Sequence, residues 1–170
     1  MPTLHVCPLA QLHDIVAATG ASHVVTLINA ATVVGRPASI GADRHLFLGM
    51  SDIVEPLDGY VLPAAEHVEE LIRFVRAWGR EKPMVIHCWA GISRSTAAAF
   101  IAACALGPRR AEADIADAIR RASSIATPNR RFVAVADDIL GRGGRMVDAM
   151  ARIGQGQSAP WGVPFTLTLD

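Results

Sequence analysis

The chain has 170 residues and 18.0 kDa, enough for one ordinary domain and too little for two. Apolar residues make up 51% and charged ones 19%, with mean hydropathy +0.31, which excludes a disordered chain, a collagen-like repeat or a disulfide-stapled miniprotein. Sixteen basic residues balance sixteen acidic ones, so no whole-chain field draws nucleic acid or an anionic membrane, and neither is expected as a partner.

In chain order, Thr3 to Val6 reads as a short edge strand closed by Pro8. Leu9, Leu12, Ile15 and Val16 follow at helical spacing within Pro8–Thr19, and Gly20 supplies a stop. His23 to Ile28 (HVVTLI) is β-branched and almost continuously apolar, the pattern of a strand buried on both faces. A loop rich in small residues runs from Asn29 to Arg44. His45–Leu48 is a further strand, followed by a polar, Pro-containing loop from Gly49 to Leu62.

Pro63 suits a first helical position, and Val68, Leu71, Ile72, Val75 and Trp78 share one apolar face up to Gly79. Met84–His87 is a compact strand. Ser95–Leu106 is a helix apolar nearly all round, hence buried. Further helices are predicted over Ala111–Ala122, over Pro128–Leu140 (Thr127 capping, Pro128 opening) and over Gly144–Ile153. The fold class is therefore α/β: a parallel-rich central sheet flanked by helices, with a helical C-terminal third. Residues 1–170 are expected to form a single domain, with 155–170 an extended tail.

The longest uninterrupted apolar run, Ala97 to Leu106, is ten residues, about half a bilayer-spanning helix, so no membrane span is expected. Cys7, Cys88 and Cys104 are odd in number and lack C-x-x-C spacing, so neither a metal site nor a disulfide framework is signalled. The opening MPTLHVCPLAQLHD has no basic stretch followed by an apolar one. No secretory signal is read there, and a reducing cytoplasm is the default expectation.

Chemistry concentrates in His87-Cys88-Trp89-Ala90-Gly91-Ile92-Ser93-Arg94-Ser95, between a predicted strand and the start of a predicted helix. Such a loop turns several backbone N–H groups and the positive end of the helix dipole toward one point. Gly91 lets the turn close with no side chain in the way. Arg94 adds a planar, two-pronged donor matched to phosphoryl oxygens. The same donors would favour a thiolate at Cys88, as at other activated cysteines. Cys104, inside FIAACAL, and Cys7, beside Pro8, read as buried structural residues.

HCWAGISRS resembles the H-C-x5-R-[ST] signature of the cysteine-dependent protein tyrosine and dual-specificity phosphatases. The likeness extends weakly from the HVVTLI strand to Leu140, and small bacterial tyrosine-phosphatase-like proteins are the nearest in kind. The resemblance implies that Cys88 is the nucleophile of a phosphocysteine intermediate and Arg94 the phosphate clamp. It makes the amides of Trp89, Ala90, Gly91, Ile92, Ser93 and Arg94 the phosphate cradle. Ser95 would hydrogen-bond the cysteine sulfur and help it leave, and His87 would order the loop and favour the thiolate. Thr127-Pro128-Asn129 resembles the family's S-P-N element, whose Asn bonds the phosphate-binding loop; otherwise Asn129 is a polar residue in a helix's first turn.

A phenolate leaving group needs a proton, and the following water needs a base; one carboxyl group can alternate between them. The family places this Asp on a loop about thirty residues before the cysteine, which leaves Asp43, Asp52, Glu55 and Asp58 as candidates. Asp52 ranks first because it follows the HLFLG strand at its exit. Asp58 is thirty residues before Cys88 but precedes Gly59 in what reads as a turn. Trp89 either walls the pocket mouth or packs, and Arg130 and Arg131 either meet an anionic substrate or are solvated.

The implied activity is that of a cysteine-based phosphomonoesterase, first of all a protein-tyrosine phosphatase, with no metal and no organic cofactor. Its partners would be a phosphorylated protein or small phosphomonoester, and phosphate- or vanadate-type anions. No Lys lies between Trp89 and Ser93 to meet the extra phosphates of a phosphoinositide. The rival readings are a rhodanese-type sulfurtransferase, which also sets a Cys at the start of an anion loop, and a phosphopeptide-binding module without turnover.

Overall fold

The computed structural model describes residues 1–169; Asp170, the last residue of the expected tail, lies outside the described residues. Its elements are β1 (Thr3–Pro8), α1 (Leu12–Thr19), β2 (His23–Ile28), β3 (His45–Gly49), α2 (Ala65–Ala77), β4 (Met84–Cys88), α3 (Arg94–Leu106), α4 (Glu112–Ala122), α5 (Arg130–Ile139), α6 (Arg145–Ile153) and β5 (Phe165–Thr168). Short 3₁₀ turns cover Leu9–Gln11 and Ala42–Arg44.

The five strands form one sheet in the order β3-β2-β4-β1-β5. Pairs β1–β4, β2–β4 and β2–β3 are parallel, and only β1–β5 is antiparallel. The expected α/β class with a parallel-rich sheet and a helical C-terminal third is what the chain adopts. Parallel strands need helical crossovers, which is why strand and helix alternate up to α3.

Four sequence expectations change. β1 is not an edge strand: β4 lies on one side of it and β5 on the other. The extended stretch after α6 ends in β5, whose Phe165 and Leu167 pair with Val6 and Leu4 and close that side of the sheet. Nothing in the periodicity of Thr3–Val6 distinguishes an edge from an interior strand, because the covering partner comes from the far end of the chain. Thr127 and Pro128 do not open α5 either. The helix begins at Arg130, and Asn129 is its cap, accepting from the Phe132 N–H at 3.0 Å. Likewise α2 starts at Ala65, two residues past Pro63.

Strand alternation splits the core into two layers. Leu4, Val6, Val25, Leu27, Met84, Ile86 and Cys88 face α2–α6, while Cys7, Val24 and Val85 face α1. Helix α3 fills the centre of the larger layer; from Arg94 to Ala105 every residue is buried. Its small Ala side chains let the helix lie close to the sheet, and this close seat aims its N-terminus at the carboxyl ends of the strands. Helix α6 is set by Asp137, whose carboxylate accepts from Gly144 N–H (2.6 Å) and Met146 N–H (2.7 Å), an anion on the positive end of the helix. Among the described residues, no helix is long and apolar enough to cross a membrane.

Candidate active site

The site gathers at the carboxyl ends of the parallel strands, where open α/β sheets leave a crevice. β4 ends at Cys88, α3 begins at Arg94, and residues 89–93 form the loop between them. Gly91 has φ +71°, and a Cβ on it would sit 2.6 Å from the Pro8 nitrogen. Only glycine permits both that dihedral and that approach to the end of β1.

The carbonyls of this loop are tied outward. Trp89 O accepts from Leu9 N–H (3.1 Å), Ala90 O from Gly162 N–H (2.7 Å), Ile92 O from Thr127 N–H (3.0 Å) and Ser93 O from Asn129 N–H (3.2 Å). In a planar trans peptide the next residue's N–H points opposite to the carbonyl. The amides of Ala90, Gly91, Ser93 and Arg94 are therefore turned to the inside of the loop. Gly91 shows it directly, donating to Cys88 Sγ at 3.2 Å. Ser95 Oγ lies 3.2 Å from the same sulfur.

Arg94 is 7% exposed, and its Nη1 is held by the Met50 carbonyl (2.8 Å) and Asn29 Oδ1 (3.0 Å). Its Nε is buried with no hydrogen-bond partner among the described residues. A buried, charged donor without an acceptor is costly, and an oxyanion in the loop is the acceptor that chemistry would supply. Asn29 and Met50 follow directly on β2 and β3, so the adjacent strand ends hold the guanidinium. Sequence reading missed both. Asn29, a polar side chain immediately after an apolar strand, was the available signal.

Asp52 lies two residues beyond Met50. Its Oδ1 accepts from Ser93 Oγ (2.7 Å) and from Asn129 Nδ2 (2.9 Å), which ties the carboxylate to the rim of the loop. Asn129 Nδ2 also donates to the Ile53 carbonyl (3.1 Å). The expected side-chain bond from Asn129 to the phosphate-binding loop is thus redirected. Its backbone N–H braces Ser93, while its side chain holds the Asp52 segment. Asp58 sits in a turn closed by Tyr60 N–H on the Leu57 carbonyl (3.1 Å), with Gly59 at φ +82°. Among the described residues, no hydrogen bond or ion pair ties it to the loop.

His87 is fully buried, and burial pushes its pKa down to about 4. At neutral pH it is uncharged, so it offers the loop order rather than positive charge: its Nδ1 is 3.1 Å from the Cys88 carbonyl and its Nε2 2.7 Å from Thr26 Oγ1. Trp89 is half exposed and leans on Trp161, ring centroids 6.4 Å apart. Gly162, the next residue, packs so tightly that a Cβ would meet the Gly91 carbonyl oxygen at 2.6 Å. The segment after α6 is therefore a brace behind the loop as well as a strand. Beside Asp52 and Ser93, a groove of about 620 Å³ runs toward α6 between Ile53, Val133 and Met150.

A family model described as protein-tyrosine phosphatase matches residues 58–126. The matched stretch contains Cys88 to Ser95 but neither Asp52 nor Asn129, whose placement rests on the geometry above. Among solved structures the chain is similar to DUSP15 (18% identity, TM-score 0.66, covering 90% of this chain and 91% of that one). It is also similar to the PTP-2 phosphatase of Cydia pomonella (20%, TM-score 0.62, 79% and 84%). PTPMT1, crystallised in complex with PI(5)P, resembles it at 14% identity and TM-score 0.60, over 88% and 92%. No curated protein matches the chain. The structural likenesses establish the fold. With the family match over the signature loop, they bear out the resemblance to the cysteine-dependent protein-tyrosine and dual-specificity phosphatase superfamily.

Proposed function

We propose that the chain is a cysteine-based phosphomonoesterase that hydrolyses phosphotyrosine through a phosphocysteine intermediate. The observation that carries this reading is the convergence on one loop of Cys88 Sγ, the unpartnered Arg94 Nε and the Asp52 carboxyl group. Residues 1–170 act in it as a single phosphatase domain, and a reducing cytoplasm suits a reaction that needs Cys88 reduced.

In the first step the Cys88 thiolate attacks phosphorus and the bond to the leaving oxygen breaks. Arg94 Nε and the inward amides hold the equatorial oxygens, where charge stabilisation dominates phosphoryl transfer. Both hydrogen bonds on Asp52 land on Oδ1, which leaves Oδ2 to deliver a proton to the departing phenolate. In the second step water attacks the phosphocysteine, Asp52 takes the water's proton, and the S–P bond breaks. Ser95 Oγ, already beside the sulfur, donates to it as it leaves.

The direct test is turnover of p-nitrophenyl phosphate and of phosphotyrosine, phosphoserine and phosphoinositide substrates, with vanadate as inhibitor. Vanadate-sensitive hydrolysis that favours the phosphotyrosine peptide is expected. Transfer of sulfur from thiosulfate to cyanide with no phosphate release would make it a sulfurtransferase. Micromolar phosphopeptide binding without hydrolysis would make it a binding module.

Redox behaviour offers an independent check. Burial pushes the thiols of Cys7 and Cys104 up to about 12, so both stay protonated at neutral pH. Peroxide is expected to oxidise Cys88 first, with bound phosphate or vanadate protecting it. Mass spectrometry that finds Cys104 modified ahead of Cys88 would contradict the assignment of both.

A further inference from the structure

On the α1 side of the sheet, a polar chain crosses three neighbouring strands: His45 of β3, Thr26 of β2 and His87 of β4. His45 Nε2 is 2.7 Å from Thr26 Oγ1, which is itself 2.7 Å from His87 Nε2. His87 Nδ1 then meets the Cys88 carbonyl at 3.1 Å. Thr26 and His87 are fully buried and pair directly across β2 and β4, which sets their side chains next to each other on one face of the sheet.

Elementary donor–acceptor arithmetic fixes the direction of every bond. A carbonyl only accepts, so His87 Nδ1 must carry hydrogen. The ring is neutral in its buried setting, so Nε2 carries none and must accept from the Thr26 hydroxyl. That hydroxyl has one hydrogen, now committed to His87, so toward His45 it can only accept. His45 Nε2 is then a donor.

We propose that Thr26 and His45 are positioning residues that lock His87 in its Nδ1–H tautomer and thereby hold the Cys88 carbonyl, and with it the first peptide of the phosphate loop, in the orientation turnover needs. The Cys88 carbonyl belongs to the Cys88–Trp89 peptide, so its anchor sets where the loop departs from β4. In water the neutral imidazole exchanges between its two tautomers; here the Cys88 carbonyl takes the Nδ1 hydrogen while the Thr26 hydroxyl supplies the hydrogen that Nε2 accepts. His45 keeps that hydroxyl pointed the right way by occupying its lone pair. Second-sphere partners of this kind decide which ring nitrogen holds the proton.

The tautomer lock stands on the hydrogen-bond geometry together with the neutrality of the buried His87 ring, whereas its consequence for turnover rests on the phosphatase reading above. Two measurements separate them. Ring ¹⁵N NMR of the full chain is expected to show His87 with Nδ1 protonated and Nε2 bare at neutral pH. An Nε2–H signature in the native protein overturns the lock whether or not the protein is an enzyme.

The second measurement is kinetic. Thr26→Val, nearly isosteric, is expected to lower kcat by about 10- to 100-fold, the scale at which lost second-sphere partners act on histidine ligands. KM should change little. Thr26→Ser keeps the hydroxyl and should restore kcat. His45→Gln, which retains a nitrogen donor near the Nε2 position, should outperform His45→Leu. A Thr26→Val enzyme within twofold of the native kcat, with the tautomer unchanged, overturns the proposal. So does a Thr26→Ser enzyme as slow as Thr26→Val. If Thr26→Val does not fold, the native-state NMR and the His45 pair still decide.

Discussion

Cys88→Ser is expected to lose hydrolysis by about 10⁵-fold or more while still binding vanadate or phosphate, the scale at which removing a nucleophile acts in covalent hydrolases. The retained binding follows from how the cradle is built. Its amides face inward because four carbonyls are tied outward, and none of those ties involves the sulfur. Arg94→Lys is the complementary test. Nη1 is already occupied by Met50 and Asn29, which leaves the Nε and Nη2 side of the guanidinium for substrate. A lysine ammonium cannot grip both strand ends and an oxyanion in that fork geometry, so kcat should fall by roughly 10²–10³-fold, as when an oxyanion donor is removed. Binding of the anion should weaken in parallel. Stopped-flow detection of the first turnover would separate the steps, since Cys88→Ser removes the phosphocysteine burst altogether. A Cys88→Ser enzyme that keeps a substantial fraction of native activity would end the covalent mechanism.

The features legible in the sequence were those set by local pattern. HVVTLI reads as a strand buried on both faces, and β2 lies inside the sheet with Val24, Val25 and Leu27 fully buried. The strand–loop–helix context of HCWAGISRS followed from a Gly, an Arg and an apolar run at the right distances. What escaped were contacts between segments remote in sequence. β5 lies more than 150 residues from the strand it covers, Thr3–Pro8. Trp161 and Gly162 reach the loop only because β5 pulls the tail across the molecule. Asn129 illustrates a different limit. Its place beside the loop was expected, but the partner of its side chain depended on where the Asp52 segment crossed, which no periodicity encodes. Thr26 and His45 carried a faint signal: a hydroxyl inside an apolar strand must find a partner. The partner could not be named until register put His87 directly across from it.

Asp52→Asn should slow phosphotyrosine hydrolysis by about 10²–10⁴-fold, the usual range for a general acid, and p-nitrophenyl phosphate far less. The difference arises because a good leaving group departs without a proton, so the missing acid matters little in that transition state. Asn at this position still accepts from Ser93 and Asn129 through its carbonyl oxygen, so the loop's rim is preserved and the effect reports chemistry rather than collapse. Asp58→Asn should leave both substrates near native rates, since Asp58 serves a turn between Leu57 and Tyr60. Asn129→Ala gives a graded intermediate. It frees one of the two hydrogen bonds that hold the carboxyl group and also removes the α5 cap, so its stability must be measured alongside its rate. If its loss is greater on phosphotyrosine than on p-nitrophenyl phosphate, the defect lies in aiming the acid. An equal loss on both substrates assigns it to the loop. The comparison of Asp52→Asn with Asp58→Asn on both substrates is the decisive one. Leaving-group dependence in Asp58→Asn alone would move the acid six residues along the chain, and the ties from Ser93 and Asn129 to Asp52 would then serve only to shape the loop.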